Sequence, residues 1–449
     1  MKRSHRFWVL TVLTALVLVL SACAQGQQPA TQPAPTPAPT QEAQPTKQPT
    51  PPPTQPPQPT PTQPPQPTQA VSGTVYKIGV VVAITGPGSG LGVPERNTAA
   101  MIAAQLEKQG GITGPDNVIH PVKVIILDSE SNPDAAAAAA SRLINEEQVD
   151  VLVAGTLSGT SLAMVPLATE AKVPKISMAS ADSIILDPET GQTRTWIFKT
   201  PQTNGHSARW QAEYLKHKGI TKVCHLYENS GYGQDTLNQA TKVFGEFGIE
   251  IVYSDTFERT DTEFPQVVSV QGAGCEAVVV GAIPPGASMI TAAVKDTMPD
   301  MLVLHGHGVC NKQFIDLAPD AVEGTVLPCG KLLVADGLPD DDPQKPVLLK
   351  YIEDYTAFTN GEAVSTFGGH AWDAMMWTVE ALSSLKEGMT LQERRAAIRD
   401  YIENIKNWPG ITGVFTITPT DHLGLDHKAL VVTRVQNGWY TYYGPELWD

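Results

Sequence analysis

Between Tyr76 and Cys329 short β-branched runs alternate without a break with longer stretches patterned for helix. The runs are YKIGVVVAI, VKVIILDS, VDVLVAG, KVPKISMA, WIFKT, KVCHLYE, IEIVYSDTF, EAVVVGA, MLVLHGH and GTVLPC. Between them lie PERNTAAMIAAQLEKQ, a helix expected to start at Pro94, and NPDAAAAAASRLINEEQ, where Asn132 can cap and Pro133 can open the first turn. Strict alternation predicts an α/β chain of parallel sheets covered by helices on both faces. Ligands of such sheets sit at the carboxyl ends of the strands. The glycine- and serine-rich loops TGPGSGLG, GTLSGTS, MASADS, ENSGYG, AIPPG and HGHGVCN all follow strands, so the chemistry is expected there.

The first of these loops has the strand, glycine turn, helix order that aims backbone N–H groups at a phosphate. Its spacing rules out a nucleotide motif. Leu91 and Val93 stand where the third glycine of G-x-G-x-x-G belongs, and no lysine completes a P-loop.

The chain opens with Lys2, Arg3 and Arg6, an apolar run from Phe7 to Leu20, and Ser21-Ala22-Cys23. That order marks export, and the run is too short to span a bilayer comfortably. Residues 1–23 therefore read as a signal segment. Leu20-Ser21-Ala22-Cys23 resembles the lipobox of bacterial lipoproteins, which implies acyl chains on Cys23 and a mature protein held on the membrane surface. Residues 24–72, rich in Pro, Thr and Gln with TQPPQPT twice, have nothing apolar to bury and are expected to be a disordered linker of polyproline II character.

The remaining stretch, about 375 residues, is too large for one simple core and suggests two domains. The formal charge of −15 argues against nucleic acid or an anionic membrane as partner. Besides Cys23 there are Cys224, Cys275, Cys310 and Cys329, which allow three pairings in an exported protein. Cys310 with Cys329 is favoured, since one expected helix separates them and both end strands, which leaves Cys224 with Cys275. No C-x-x-C is present to suggest zinc or thiol redox chemistry.

IGVVVAITGPGSGLG, KQGGI, LDSESNPD, VLVAGTLSGTS, VPKISMASAD, YENSGYGQ, HGHGVCN and FGGHAWDAM, in this order, resemble the leucine/isoleucine/valine-binding family of type I periplasmic binding proteins. The resemblance implies two Rossmann-like lobes joined by three hinge crossovers, with breaks near 200, 330 and 412. Lobe 1 would hold residues 73–200 with 331–412, and lobe 2 residues 201–330 with 413–449.

The resemblance also implies where a ligand is held. Ser161, beside Thr160, matches the family serine that hydrogen-bonds the ligand carboxylate. Ala179, Ser180 and Ala181 match a loop that offers backbone and hydroxyl groups, and Tyr232 matches an aromatic wall from the second lobe. Leu91 stands where some members carry tryptophan, and Phe367 matches an aromatic pocket position. Two positions depart from the pattern of amino-acid binders. His307 replaces an acidic residue that takes the ligand ammonium, and Ile283 or a neighbour replaces a tyrosine. A ligand without an ammonium, such as a carboxylate or an amide, then competes with an amino acid. Trp372 and Asp373 are expected to pack, His305 to be a structural histidine, and His422 and His427 to lie in a polar surface loop.

The expected function is an extracytoplasmic, lipid-anchored, monomeric substrate-binding protein that hands a small organic molecule to an ABC permease of the branched-chain amino acid type. No catalysis, metal, cofactor or nucleic acid is expected. A sensory module of the same fold is the first rival. A hydrolase is the second, because Gly159 to Ala163 comes within one residue of G-x-S-x-G around Ser161, although no His and Asp complete a triad.

Overall fold

The computed structural model describes residues 73–448, so the expected lipidation site Cys23 and the expected linker at 24–72 lie outside the described residues. The strands β1 (Tyr76–Val82), β2 (Val122–Asp128), β3 (Val151–Ala154), β4 (Lys175–Ser177) and β5 (Ile197–Lys199) form one all-parallel sheet in the order β2-β1-β3-β4-β5. The next five, β6 (Lys222–Glu228), β7 (Glu250–Phe257), β8 (Ala277–Gly281), β9 (Leu302–His305) and β10 (Val326–Gly330), repeat that order as β7-β6-β8-β9-β10. Each sheet thus reverses its strand order once, between β1 and β3 and between β6 and β8. Those switch points are where open α/β sheets leave a crevice.

The buried strands alternate their side chains between two layers. Ile78, Val80 and Val82 enter the core under α1 (Ser89–Gln109), whereas Val81 faces the one under α2 (Pro133–Asn145) and α3 (Ser158–Glu170). The second sheet does the same, with Leu226 and Val280 on one side and Val223 and Val279 on the other, beneath α4 (Asn204–His217), α5 (Gly231–Glu246), α6 (Gln266–Ala273) and α7 (Gly286–Thr297). The remaining longer helices are α8 (Lys345–Phe358), α9 (Thr366–Ser383) and α10 (Leu391–Glu403); they return to the first sheet.

Three local results differ from expectation. Helix α1 starts at Ser89, five residues ahead of Pro94, so half of the glycine stretch is its first turn. A Cβ on Gly92 would lie 2.1 Å from the carbonyl oxygen of Ala83, and the bare glycine lets the helix rest on the strand end. The second sheet is not wholly parallel: β11 (Leu430–Gln436) and β12 (Trp439–Tyr442) extend it as an antiparallel hairpin. Finally, the chain after Thr412 does not leave the first half at once. Phe415 and Ile417 enter one of its cores and Leu423 the other, so the crossing to the second sheet comes just before Leu430, later than the expected break at 412. His422 is accordingly fully buried, stacked on Phe198 at 4.2 Å with Nδ1 2.8 Å from the Ile197 carbonyl, and not in a surface loop.

Cystines join Cys224 to Cys275 and Cys310 to Cys329, with Cα separations of 5.6 and 5.8 Å. Asp373 on α9 accepts the amides of Ile411 and Thr412 at 2.7 and 2.8 Å, which pins the segment leading to the last crossing. Burial pushes its carboxyl up to about 7.

Candidate functional site

Leu91 from the turn after β1, Leu157 after β3, Tyr232 after β6, Ile283 after β8 and Phe367 on α9 meet in one buried cluster. They border a small chamber of about 20 Å³ between the two sheets, at both switch points. Ala179, Ser180 and Gly308 complete its wall, along with Glu228 and Arg259. Outside it lies a larger space of about 290 Å³, which Thr160, Ser158 and Gly231 line. Leu157, Ser158, Glu228, Tyr232 and Arg259 border both. The halves touch around this chamber. Ser180 Oγ on the first is 3.0 Å from His307 Nε2 on the second, and Gln239 of α5 donates to Asp182 at 3.0 Å.

Of the expected ligand residues, Leu91, Ala179, Ser180, Tyr232, Ile283 and Phe367 face the chamber, and Thr160 faces the outer space. Ala181, Ser161 and His307 line neither. Ala181 is in the core under α2 and α3. Ser161 lies one turn inside α3, where side chains point down onto the strands. Its Oγ is 2.7 Å from Ser177 Oγ and accepts from Lys175 Nζ at 2.7 Å. Gly155, with φ 107°, leaves the room for it, since a Cβ there would be 2.6 Å from Ser161 Cβ. Burial alone brings the Lys175 amine down to about 7.

His307 is turned to Ser180, and Gly308 takes its place at the wall. A Cβ on Gly308 would lie 2.3 Å from Tyr232 Oη, so the glycine admits the tyrosine ring. Burial, then the charges of Lys199 and His206, lower the imidazole to about 3; at neutral pH it is uncharged. His305, which ends β9, pairs with Thr291 Oγ1 at 2.9 Å, and Cys310 is engaged in its cystine.

The sequence reading overlooked Glu228 and Arg259. Glu228 ends β6 and is 1 % exposed. Arg259 grips it with Nε at 3.0 Å and Nη2 at 2.6 Å, Ser230 Oγ donates to it at 2.6 Å, and the Ile283 amide at 3.2 Å. Four donors fill the acceptor positions of a carboxylate. The signal was present: an acidic residue closing a buried strand at the ligand-bearing end of a sheet needs a cationic partner.

The periplasmic binding protein family model matches residues 75–438, and the chain belongs to that family. An extracellular ligand-binding receptor from Rhodopseudomonas palustris HaA2 is similar in structure, with a TM-score of 0.75 and 29% identity over 82% of this chain and 99% of that one. Among curated relatives, a Leu/Ile/Val-binding protein homolog of Brucella melitensis is 22% identical over 56% of this chain. A leucine-, isoleucine-, valine-, threonine- and alanine-binding protein of Pseudomonas aeruginosa is 23% identical over 57% of this chain. The chain spans 66% of the length of each, just under two thirds.

Proposed function

We propose that the protein is an extracytoplasmic substrate-binding protein that captures a small apolar monocarboxylate between its lobes and delivers it to an ABC importer of the branched-chain amino acid type. The saturation of Glu228 carries the choice of ligand. It is the one acidic residue on the inner chamber wall, and its acceptor positions are taken, so an α-ammonium brought inside would have no counter-ion there. A carboxylate, by contrast, meets the first N–H groups of α3, which starts at Ser158 on the wall. The fully buried Ser161 supports binding over a hydrolase. Anchoring through Cys23, action as a monomer and partnership with a permease belong to this reading. For the sensory rival, a membrane partner would be needed: no helix among the described residues is long and apolar enough to cross a membrane.

A thermal-shift panel of branched and aromatic monocarboxylates, their amides, and amino acids tests it. At a hundred times its Kd a ligand adds about 2.7 kcal/mol of stability. Monocarboxylates are expected to give the largest shifts; a panel in which only amino acids protect the protein overturns the ligand assignment.

A further inference from the structure

One buried charge-bearing group behind the chamber has no counter-charge. Lys175 opens β4 with its side chain fully buried, and the one hydrogen bond of its amine among the described residues is to Ser161 Oγ at 2.7 Å. The ionic groups on the surrounding elements are turned elsewhere. Lys199 on β5 reaches the Ser180 carbonyl and Asp182. Asp150, ahead of β3, holds the Lys77 amide and Arg394, while Arg395 on α10 holds the carbonyls of Val149 and Ala171. Glu95 on α1 is paired with Thr156, and Glu170 at the end of α3 is exposed. An isolated ammonium in such a place is costly, and apolar packing would be the cheaper choice for folding.

What the lysine touches leads to the chamber. Ser161 Oγ is 2.7 Å from Ser177 Oγ, which accepts the amide of Ala179 at 3.2 Å, and Ala179 is on the chamber wall. When Lys175 is charged it must donate to Ser161. The Ser161 hydroxyl then donates to Ser177, and the hydrogen of Ser177 is left outside the pair. When the amine is neutral its lone pair can accept instead, which lets the chain of hydroxyls run the other way. An anion at the start of α3 favours the first arrangement.

We propose that Lys175 is a positioning residue for anion capture: through Ser161 and Ser177 it orients the hydroxyl chain beneath the chamber and supplies the positive charge an incoming monocarboxylate requires. The inference rests on the reading of the cleft as a ligand site. It separates a simple acid, which brings one negative charge to a site with a spare positive one, from a zwitterion, which brings none on balance. The amine, lowered by burial in the empty protein, regains its proton as the anion arrives, so binding above neutral pH takes up protons.

The test uses benzoate and 3-methylbutanoate with their amides, on the wild-type protein and on Lys175→Met. Calorimetry at pH 8 in two buffers of different ionisation enthalpy is expected to show proton uptake for the wild type with the acids and none for the variant. The variant is expected to bind the acids about 10- to 100-fold more weakly and the amides unchanged. Equal acid affinity in the variant, or no proton uptake by the wild type, overturns the proposal; the second result needs no variant. A wild type that binds leucine and neither acid also overturns it, while leaving the protein a binding protein. If no small molecule binds at all, the reading of the cleft falls first and this inference with it.

Discussion

Glu228 is the residue on which both the proposed recognition and the local stability turn. Buried and held by four donors, it is tolerable only while Arg259 stays. Arg259→Met leaves an uncompensated buried carboxylate and is expected to cost about 3–5 kcal/mol in urea unfolding. A loss under about 1 kcal/mol would show that the pair is not needed for the fold. The pair was hard to read from sequence because its partners come from different strand ends. Leu91, Tyr232 and Ile283 could be placed at the crevice from sequence, since each lies just past a strand's carboxyl end, in the loop or first helical turn that follows, whereas Phe367, in the first turn of α9, follows no strand. Ser161 and His307 sat on equally suggestive loops, but one turn of helix or one residue of register decided whether they faced a ligand or the protein.

The strands could be read almost throughout, because fully buried parallel strands are continuous β-branched runs bounded by turns. Helix α1 was placed too late because glycine lowers helix propensity, whereas here Gly92 is needed for contact with β1. Gly92→Ala is expected to force α1 away from Ala83, carry Leu91 out of the chamber, and cost about 1–3 kcal/mol with much of the ligand affinity. Binding as tight as wild type would show that the contact is not needed to shape the chamber. The hairpin of β11 and β12 was missed although Asn437-Gly438 joins them, with φ of 54° and 74°. That dipeptide between two β-rich runs is the strongest short-range hairpin signal, and the expectation of all-parallel sheets hid it.

For the molecule as a whole, groups that repel meet where the two halves touch. Asp235 on α5 comes against Asp182 of the other half, beside Asn204, which donates to it at 2.6 Å, and Lys199. Burial first, and then the charge of Asp182, raise the Asp235 carboxyl to about 6. If the proposed capture opens and shuts the lobes, a carboxyl harder to ionise when they are shut makes closing take up a proton. Closure is therefore favoured below the ordinary carboxylate range, and the advantage is lost as pH rises through 6. Ligand affinity is expected to fall several-fold between pH 5 and 7, and Asp235→Asn to flatten that dependence; an unchanged profile in the variant would place the titration elsewhere.

Both cystines lie in the half built on the seven-stranded sheet, and one of them fastens the turn carrying His307 and Gly308 to the strand that leads back to its companion half. Newly made chain in a thiol-rich cytosol would thus lack the fastenings of one jaw only. In a chain bearing the proposed export signal, those fastenings would close only after the cytosol is left behind, in an oxidising compartment.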